Sequence, residues 1–269
     1  MDSIAASPVA VTLPLLRWGP PDASRHALLL HGLTSAGACW WRLADDLAAA
    51  GWAVTAPDLR GHGLAPRTLR YDIAGFAADV LALTPEHTGG PEDTDSPEHT
   101  TVPRPWDLVV GHSLGGLVAT AAADTAPGWA ARLLLIDPVI TVAGGADGLV
   151  HALTDELRAE PDTLLRDHPL WHPEDVFLKV QAAARTSPYV VESFLRQNIP
   201  WSYESALART TCPVTVLAAD PRHGPSFTAE EARRVQQTKA DFHWSVVEGA
   251  GHSVQRDAPA AVSEAALTE

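Results

Sequence analysis

The sequence predicts an α/β fold: a mostly parallel central sheet flanked by helices, with a helical cap folded over the sheet's C-terminal edge. Three observations carry this. Six short apolar runs recur along the chain. Helix-like segments alternate with them, the pattern of a parallel sheet with crossover helices. One long stretch between two of the runs has no strand pattern and is rich in aromatic residues.

The elements follow in order. VTLPLLRWG (11–19) adds antiparallel edge strands. HALLLHG (26–32), WAVTAPD (52–58), WDLVVGHS (106–113), RLLLID (132–137), VTVLAAD (214–220) and FHWSVVEG (242–249) are short, mainly apolar runs that read as buried parallel strands. Helices are predicted over CWWRLADDLAAAG (39–51), which closes on a glycine stop, and over 71–83, 114–126, 228–238 and 258–268. Residues 84–105 are rich in Pro, Gly, Thr and acids, the composition of a surface loop, and no chemistry is assigned to them. Residues 138–210 contain DGLVHALTDELRAE and PYVVESFLRQN, together with Trp171, Phe177, Tyr189, Phe194, Trp201 and Tyr203. The expected division is therefore a core of 1–137 and 211–269 and a cap of 138–210.

Composition narrows the function. The 269 residues carry a net charge of -14, which repels nucleic acid and anionic membranes, so neither is expected as a partner. No apolar run is long enough to span a bilayer. The N-terminus has an acid where a signal peptide needs Lys or Arg, and Pro8 and Pro14 break its apolar residues; a cytoplasmic location is expected. Cys39 and Cys212 are the only cysteines and read as buried thiols. No histidine pair has the spacing of a zinc site, so no metal is expected.

The chemistry is concentrated in Gly111-His112-Ser113-Leu114-Gly115-Gly116, which follows a strand and opens a helix. A serine there occupies a tight, strained turn with its hydroxyl off the sheet, near the positive end of the helix. Gly111 and Gly115 are needed because a larger side chain would collide across the turn. A nucleophilic serine needs two donors for an oxyanion. The N–H of Leu114 is one; the N–H of Leu33, in the His31-Gly32-Leu33-Thr34 loop after ALLL, is the other. Gly32 lets the main chain pass close to a substrate, and His31 braces the loop. His252, in VVEGAGHSVQRDAP, is the expected base, because Gly249, Ala250 and Gly251 let its loop approach Ser113.

HGLTSAG, PDLRGHG (57–63), GHSLGG and GAGH together resemble the α/β-hydrolase superfamily, over residue 25 to the end. One departure is Ala65 where that family often has serine. The resemblance implies a cap inserted after the sixth strand, the one ending LLLID, and a mechanism without a cofactor. It also implies a carboxylate partner for His252. The family's usual pattern after the seventh strand puts Ala219 in the glycine place and Arg222 in the acid place, with Asp220 two residues early. Some members place the acid after the sixth strand, where this chain has Asp137. Asp137 is preferred and Asp220 stays open.

The expected reaction is cleavage of a carboxylic ester or lactone of a mainly hydrophobic small molecule, through a Ser113–His252–Asp137 triad and an acyl-enzyme. Trp171 and Trp201 are expected to contact the substrate. Fungal macrolactone hydrolases of the zearalenone-degrading type are similar in length and in the position of the acid. Thioester or carbon–carbon hydrolysis would use the same groups, and a small-molecule receptor with slow turnover is the alternative from another class. Substrate identity and oligomeric state are not specified by these motifs.

Overall fold

The computed structural model describes residues 8–85 and 104–268. Most of the acidic loop at 84–105 therefore lies outside the described residues. The core strands are β1 (Leu15–Trp18), β2 (Arg25–Leu30), β3 (Trp52–Pro57), β4 (Leu108–His112), β5 (Leu133–Ile136), β8 (Val214–Ala219) and β9 (Phe242–Val247). They form one sheet in the order β1-β3-β2-β4-β5-β8-β9. Every pairing is parallel except β1 with β3.

The alternation of side chains along these strands makes two cores. Leu28, Leu30, Val109, Leu133, Leu135, Val214 and Val216 face one side. There they meet helices α2 (Ile73–Leu81) and α3 (Leu114–Thr125) through Phe76, Leu117 and Val118. Ala27, Leu29, Val110, Leu134 and Ile136 face the other side. They pack on α1 (Trp41–Ala49) and α11 (Pro259–Leu267) through Leu43, Leu47 and Val262. Each such fully buried aliphatic chain stabilises the fold by about 1.5–3 kcal/mol relative to exposure. A two-sided apolar run is what a strand covered by helices on both faces requires.

The segment 11–19 gives one edge strand rather than several. Pro14 has no N–H for a ladder, and the Val11 N–H is taken by the Asp79 carboxylate at 2.7 Å. The strand ending at Ile136 is therefore fifth in chain order in this sheet, not sixth.

Between β5 and β8 the chain leaves the sheet. It forms α4 (Ala146–Asp155), α5 (Pro161–Asp167), α6 (Pro173–Arg185), α7 (Pro188–Asn198) and α8 (Glu204–Arg209). A short antiparallel ribbon of β6 (Thr141–Val142) and β7 (Trp201–Ser202) ties the start of this excursion to its end; it has no sequence signature of its own. After β8, α9 (Ala229–Gln236) packs beside α8, and α10 (Val254–Asp257) follows β9. Cys39 and Cys212 are both buried and unbridged. No helix among the described residues is long and apolar enough to cross a membrane.

Candidate active site

The site is built at the C-terminal ends of β2, β4 and β5. Among the described residues, three non-glycine residues have positive φ, and each follows one of these strands: Thr34 (59°), Ser113 (53°) and Asp137 (37°). Such conformations cost about 1–3 kcal/mol each and persist only where the surroundings impose them.

Ser113 is between β4 and α3. Its turn has no room for side chains on either flank. A Cβ on Gly111 would lie 2.5 Å from the Gly115 carbonyl oxygen, and one on Gly115 would lie 2.1 Å from the carbonyl oxygen of Leu30. The Ser113 N–H is held by the Ile136 carbonyl at 3.1 Å, so the turn is anchored to the neighbouring strand's end. Leu114 is the first residue of α3, where a helix leaves its N–H groups without acceptors. Among the described residues neither the Leu33 nor the Leu114 N–H has a protein acceptor. Gly32 clears the turn itself: a Cβ there would come within 2.8 Å of His112 Nδ1 and 3.1 Å of Ser113 Cβ.

His252 is in the loop between β9 and α10. Its Nδ1 donates to Asp137 Oδ2 at 2.7 Å, and Ser226 Oγ is 3.1 Å from the same nitrogen. Asp137 is fully buried. It also accepts from the backbone N–H groups of Ser226 (2.9 Å), Ala219 (3.2 Å) and Phe227 (3.2 Å). A carboxylate only accepts, so the proton on His252 is at Nδ1 and Nε2 carries the lone pair.

Asp220 has other partners. Arg222 closes on it with Nη2 at 2.5 Å and Nε at 3.0 Å, and its own side chain caps the turn through the Arg222 N–H. It also accepts from the Gly249 N–H at 2.8 Å, which links the end of β8 to the loop carrying His252. The Arg222 guanidinium holds its pKa far below the usual carboxylate range. The structure thus brings His252 to Asp137 and leaves Asp220 to brace the loop.

Three further histidines are buried beneath the site. His31 accepts the Leu59 N–H at Nε2 (2.9 Å) and donates from Nδ1 to the Gly32 carbonyl (2.8 Å), so it fixes the loop after β2. Burial lowers its pKa to about 4, against the opposing Gly32 hydrogen bond. The neighbouring His62 is pushed down to about 3, by burial first and by His31 second. His112 donates from Nε2 to the His252 carbonyl at 2.9 Å, and burial holds it well below its ordinary value.

Ser113, His252, Leu33 and Leu114 all line one cavity of about 520 Å³ under the excursion. That is within the range of small-molecule sites. Trp171 and Trp201 both line it and are largely buried. Their indole N–H groups are turned to protein acceptors, Asp257 Oδ1 at 2.8 Å and the Val139 carbonyl at 3.1 Å. Gly32 is not among the lining residues; its contribution is the space it leaves for His112 and Ser113. Among the described residues no three or more His, Cys, Asp or Glu side chains gather into a metal-binding group.

Several residues escaped the sequence reading. Ser226 and Phe227 act through backbone N–H groups, which leave no trace in composition. Lys179, from α6, reaches Thr34 Oγ1 at 2.6 Å and Glu156 at 3.3 Å beside the cavity. Arg256, on α10, also lines the cavity, and nothing in its sequence position marks it.

A strained serine between a parallel strand and a helix, above a cavity shared with a carboxylate-bound histidine, is a nucleophile-elbow arrangement. The chain belongs to the alpha/beta hydrolase family, whose model matches residues 27–265. A lipase of Mycobacterium tuberculosis, LipV, is 33% identical over 154 residues, which span 57% of this chain and 51% of that protein, about half its length. A monoacylglycerol lipase of Mycolicibacterium smegmatis is 28% identical over 257 residues, 88% of this chain and 84% of that one. Among solved structures, an esterase from Thermogutta terrifontis superposes with a TM-score of 0.70 at 22% identity, over 96% of this chain and 95% of that one. An esterase from Exiguobacterium antarcticum gives 0.69 at 17%, over 94% and 93%. These two likenesses show the fold.

Proposed function

We propose that the protein is a serine hydrolase of carboxylic esters, linear or cyclic, of a mainly hydrophobic small molecule. The observation that carries this reading is the bond from His252 Nδ1 to a buried Asp137, in a histidine that shares its cavity with Ser113. The two lipase relatives support the same reaction class.

In the proposed cycle Ser113 Oγ attacks the ester carbonyl carbon while His252 Nε2 takes the hydroxyl proton. The carbonyl π pair moves to oxygen, which the Leu33 and Leu114 N–H groups hold. Asp137 stabilises the imidazolium and keeps its proton on Nδ1. Collapse expels the alcohol, protonated by His252, and leaves an acyl-Ser113. Water then attacks with the same assistance and restores the serine. The cavity's apolar lining, Leu117, Val139, Val142, Phe194 and Trp201 among it, fits an acyl or alcohol part without charge along most of its length.

The test is turnover of 4-nitrophenyl butyrate by the wild-type protein and by Ser113→Ala. Catalysed release of nitrophenolate that disappears in Ser113→Ala is the expected result. Tight ligand binding with no turnover would instead favour a receptor on this fold.

A further inference from the structure

Among the described residues, one buried guanidinium on the wall of this cavity has no carboxylate within ion-pair distance. Arg256, on α10, is 3% exposed and lines the cavity. Its Nη1 donates to Ser253 Oγ at 3.2 Å, a neutral acceptor. Its Nε is buried and has no hydrogen-bond partner among the described residues. The adjacent carboxylate does not serve it: Asp257 Oδ1 accepts from Trp171 and Oδ2 from the Gly251 N–H at 2.8 Å. The guanidinium lies over the Trp171 ring, 4.8 Å from its centroid. A second buried cation, Lys179, lines the same cavity and already has Glu156 and Thr34 as partners.

A buried charge without an ion partner is costly, and proteins retain one where something else supplies the counter-charge. A planar fork of N–H donors matches a carboxylate in two-point contact. Glu156 and Asp257 also line the cavity, so a dianion would meet more repulsion there than a monoanion. Most of the remaining lining is apolar, Leu117, Val139, Val142 and Phe194 among it.

We propose that Arg256 seats a carboxylate carried by the substrate, so that the site takes an ester whose acyl or alcohol arm ends in a carboxylate. This rests on the hydrolase reading for the word ester, and on the cavity geometry alone for the carboxylate. Arg256 is then a specificity residue that touches substrate away from the reacting atoms.

Two arms test it. The first compares kcat/KM for the 4-nitrophenyl monoester of adipic acid with that for 4-nitrophenyl hexanoate, which differs only in the terminal group. Wild-type protein is expected to prefer the adipate monoester roughly tenfold or more, the scale of one charge-assisted bond. In Arg256→Gln that ratio is expected to fall to about one or below. The second arm needs no turnover: calorimetric binding of monomethyl adipate and of its neutral amide to Ser113→Ala, with and without Arg256→Gln. The acid is expected to bind more tightly than the amide only when Arg256 is present. Arg256→Lys guards against a folding failure, because it keeps the charge and is expected to keep a smaller preference. An amide that binds as well as the acid overturns the proposal, as does a preference that survives Arg256→Gln or is undiminished in Arg256→Lys. If neither nitrophenyl ester is turned over, the hydrolase reading fails while the calorimetric arm still decides the carboxylate seat.

Discussion

His252 Nδ1 donates to Asp137 Oδ2 at 2.7 Å, and Asp137 is wholly removed from solvent. Three backbone N–H groups, from Ala219, Ser226 and Phe227, satisfy the rest of that carboxylate. The consequence is a fixed tautomer: the imidazole proton stays on the Asp137 side and the basic nitrogen is Nε2. Asp220 has a carboxylate of equal intrinsic chemistry and occupies the end of the next strand, but Arg222 and Gly249 have claimed it.

That contrast gives the first test. Asp137→Asn is expected to lower kcat on a chromogenic ester by about 10⁴-fold, with the circular dichroism spectrum retained, because an amide can leave the wrong tautomer on His252. Asp220→Asn is expected to lose less than about tenfold, since it only loosens the loop that carries His252. Near-native turnover in Asp137→Asn would contradict the assignment.

Gly32→Ala is expected to damage catalysis more than folding. The new methyl group would meet His112 Nδ1 at 2.8 Å and Ser113 Cβ at 3.1 Å, and displacement of the elbow is its nearest relief. A misplacement of about 1 Å can cost about 10²-fold in rate. The measurement is kcat beside the urea midpoint; a variant with native kcat would show that the elbow tolerates the shift.

The buried histidines set an acid limit on stability. His31 and His62 have folded pKa values of about 4 and about 3, both below 6.5, and His112 is displaced the same way. The unfolded chain therefore binds protons first as pH falls. Their contribution is full above pH 6.5 and is lost on descent toward pH 4 and below. Each adds a slope of up to about 1.4 kcal/mol per pH unit within that window. Urea midpoints measured from pH 7.5 to 4.5 are expected to fall steeply below 6.5. His62→Asn is expected to reduce the slope, whatever it does to the midpoint at pH 7.5.

Arg60 and Asp79 form a buried pair, with Nε to Oδ2 at 2.6 Å and Nη2 to Oδ1 at 2.7 Å. Arg60 also reaches the Gly75, Arg70 and Val9 carbonyls, so it pins the PDLRGHG loop and the N-terminal strand's approach to α2. Asp79→Ala leaves that cation unpaired in the core and is expected to cost about 3–5 kcal/mol by denaturant unfolding. A loss below about 1 kcal/mol would show that water reaches Arg60.

The core strands and flanking helices were legible because each is specified by local pattern. Runs such as ALLL and LLLI are apolar on both faces, and both faces are covered. The elbow was legible for a different reason: a Cβ on either Gly111 or Gly115 would lie 2.5 Å or less from a backbone oxygen, a constraint one residue type meets. The count of edge strands was not legible, because it turned on where the Val11 N–H finds an acceptor 68 residues away. Nor could spacing alone choose between Asp137 and Asp220. What separates them in the structure is Arg222 two residues on, and a loop that returns Ser226 and Phe227 to the end of β5. Lys179 and Arg256 were missed because tertiary folding alone brings α6 and α10 to one cavity.

The central claim is that Ser113 is a nucleophile activated by His252. Reaction with a fluorophosphonate, followed by intact-mass and peptide analysis, tests it most directly. The expected result is one phosphonyl adduct per chain on the peptide containing Ser113, absent from Ser113→Ala and strongly slowed in His252→Ala. An unmodified Ser113 in folded wild-type protein, or labelling that persists at the same rate in His252→Ala, would contradict it.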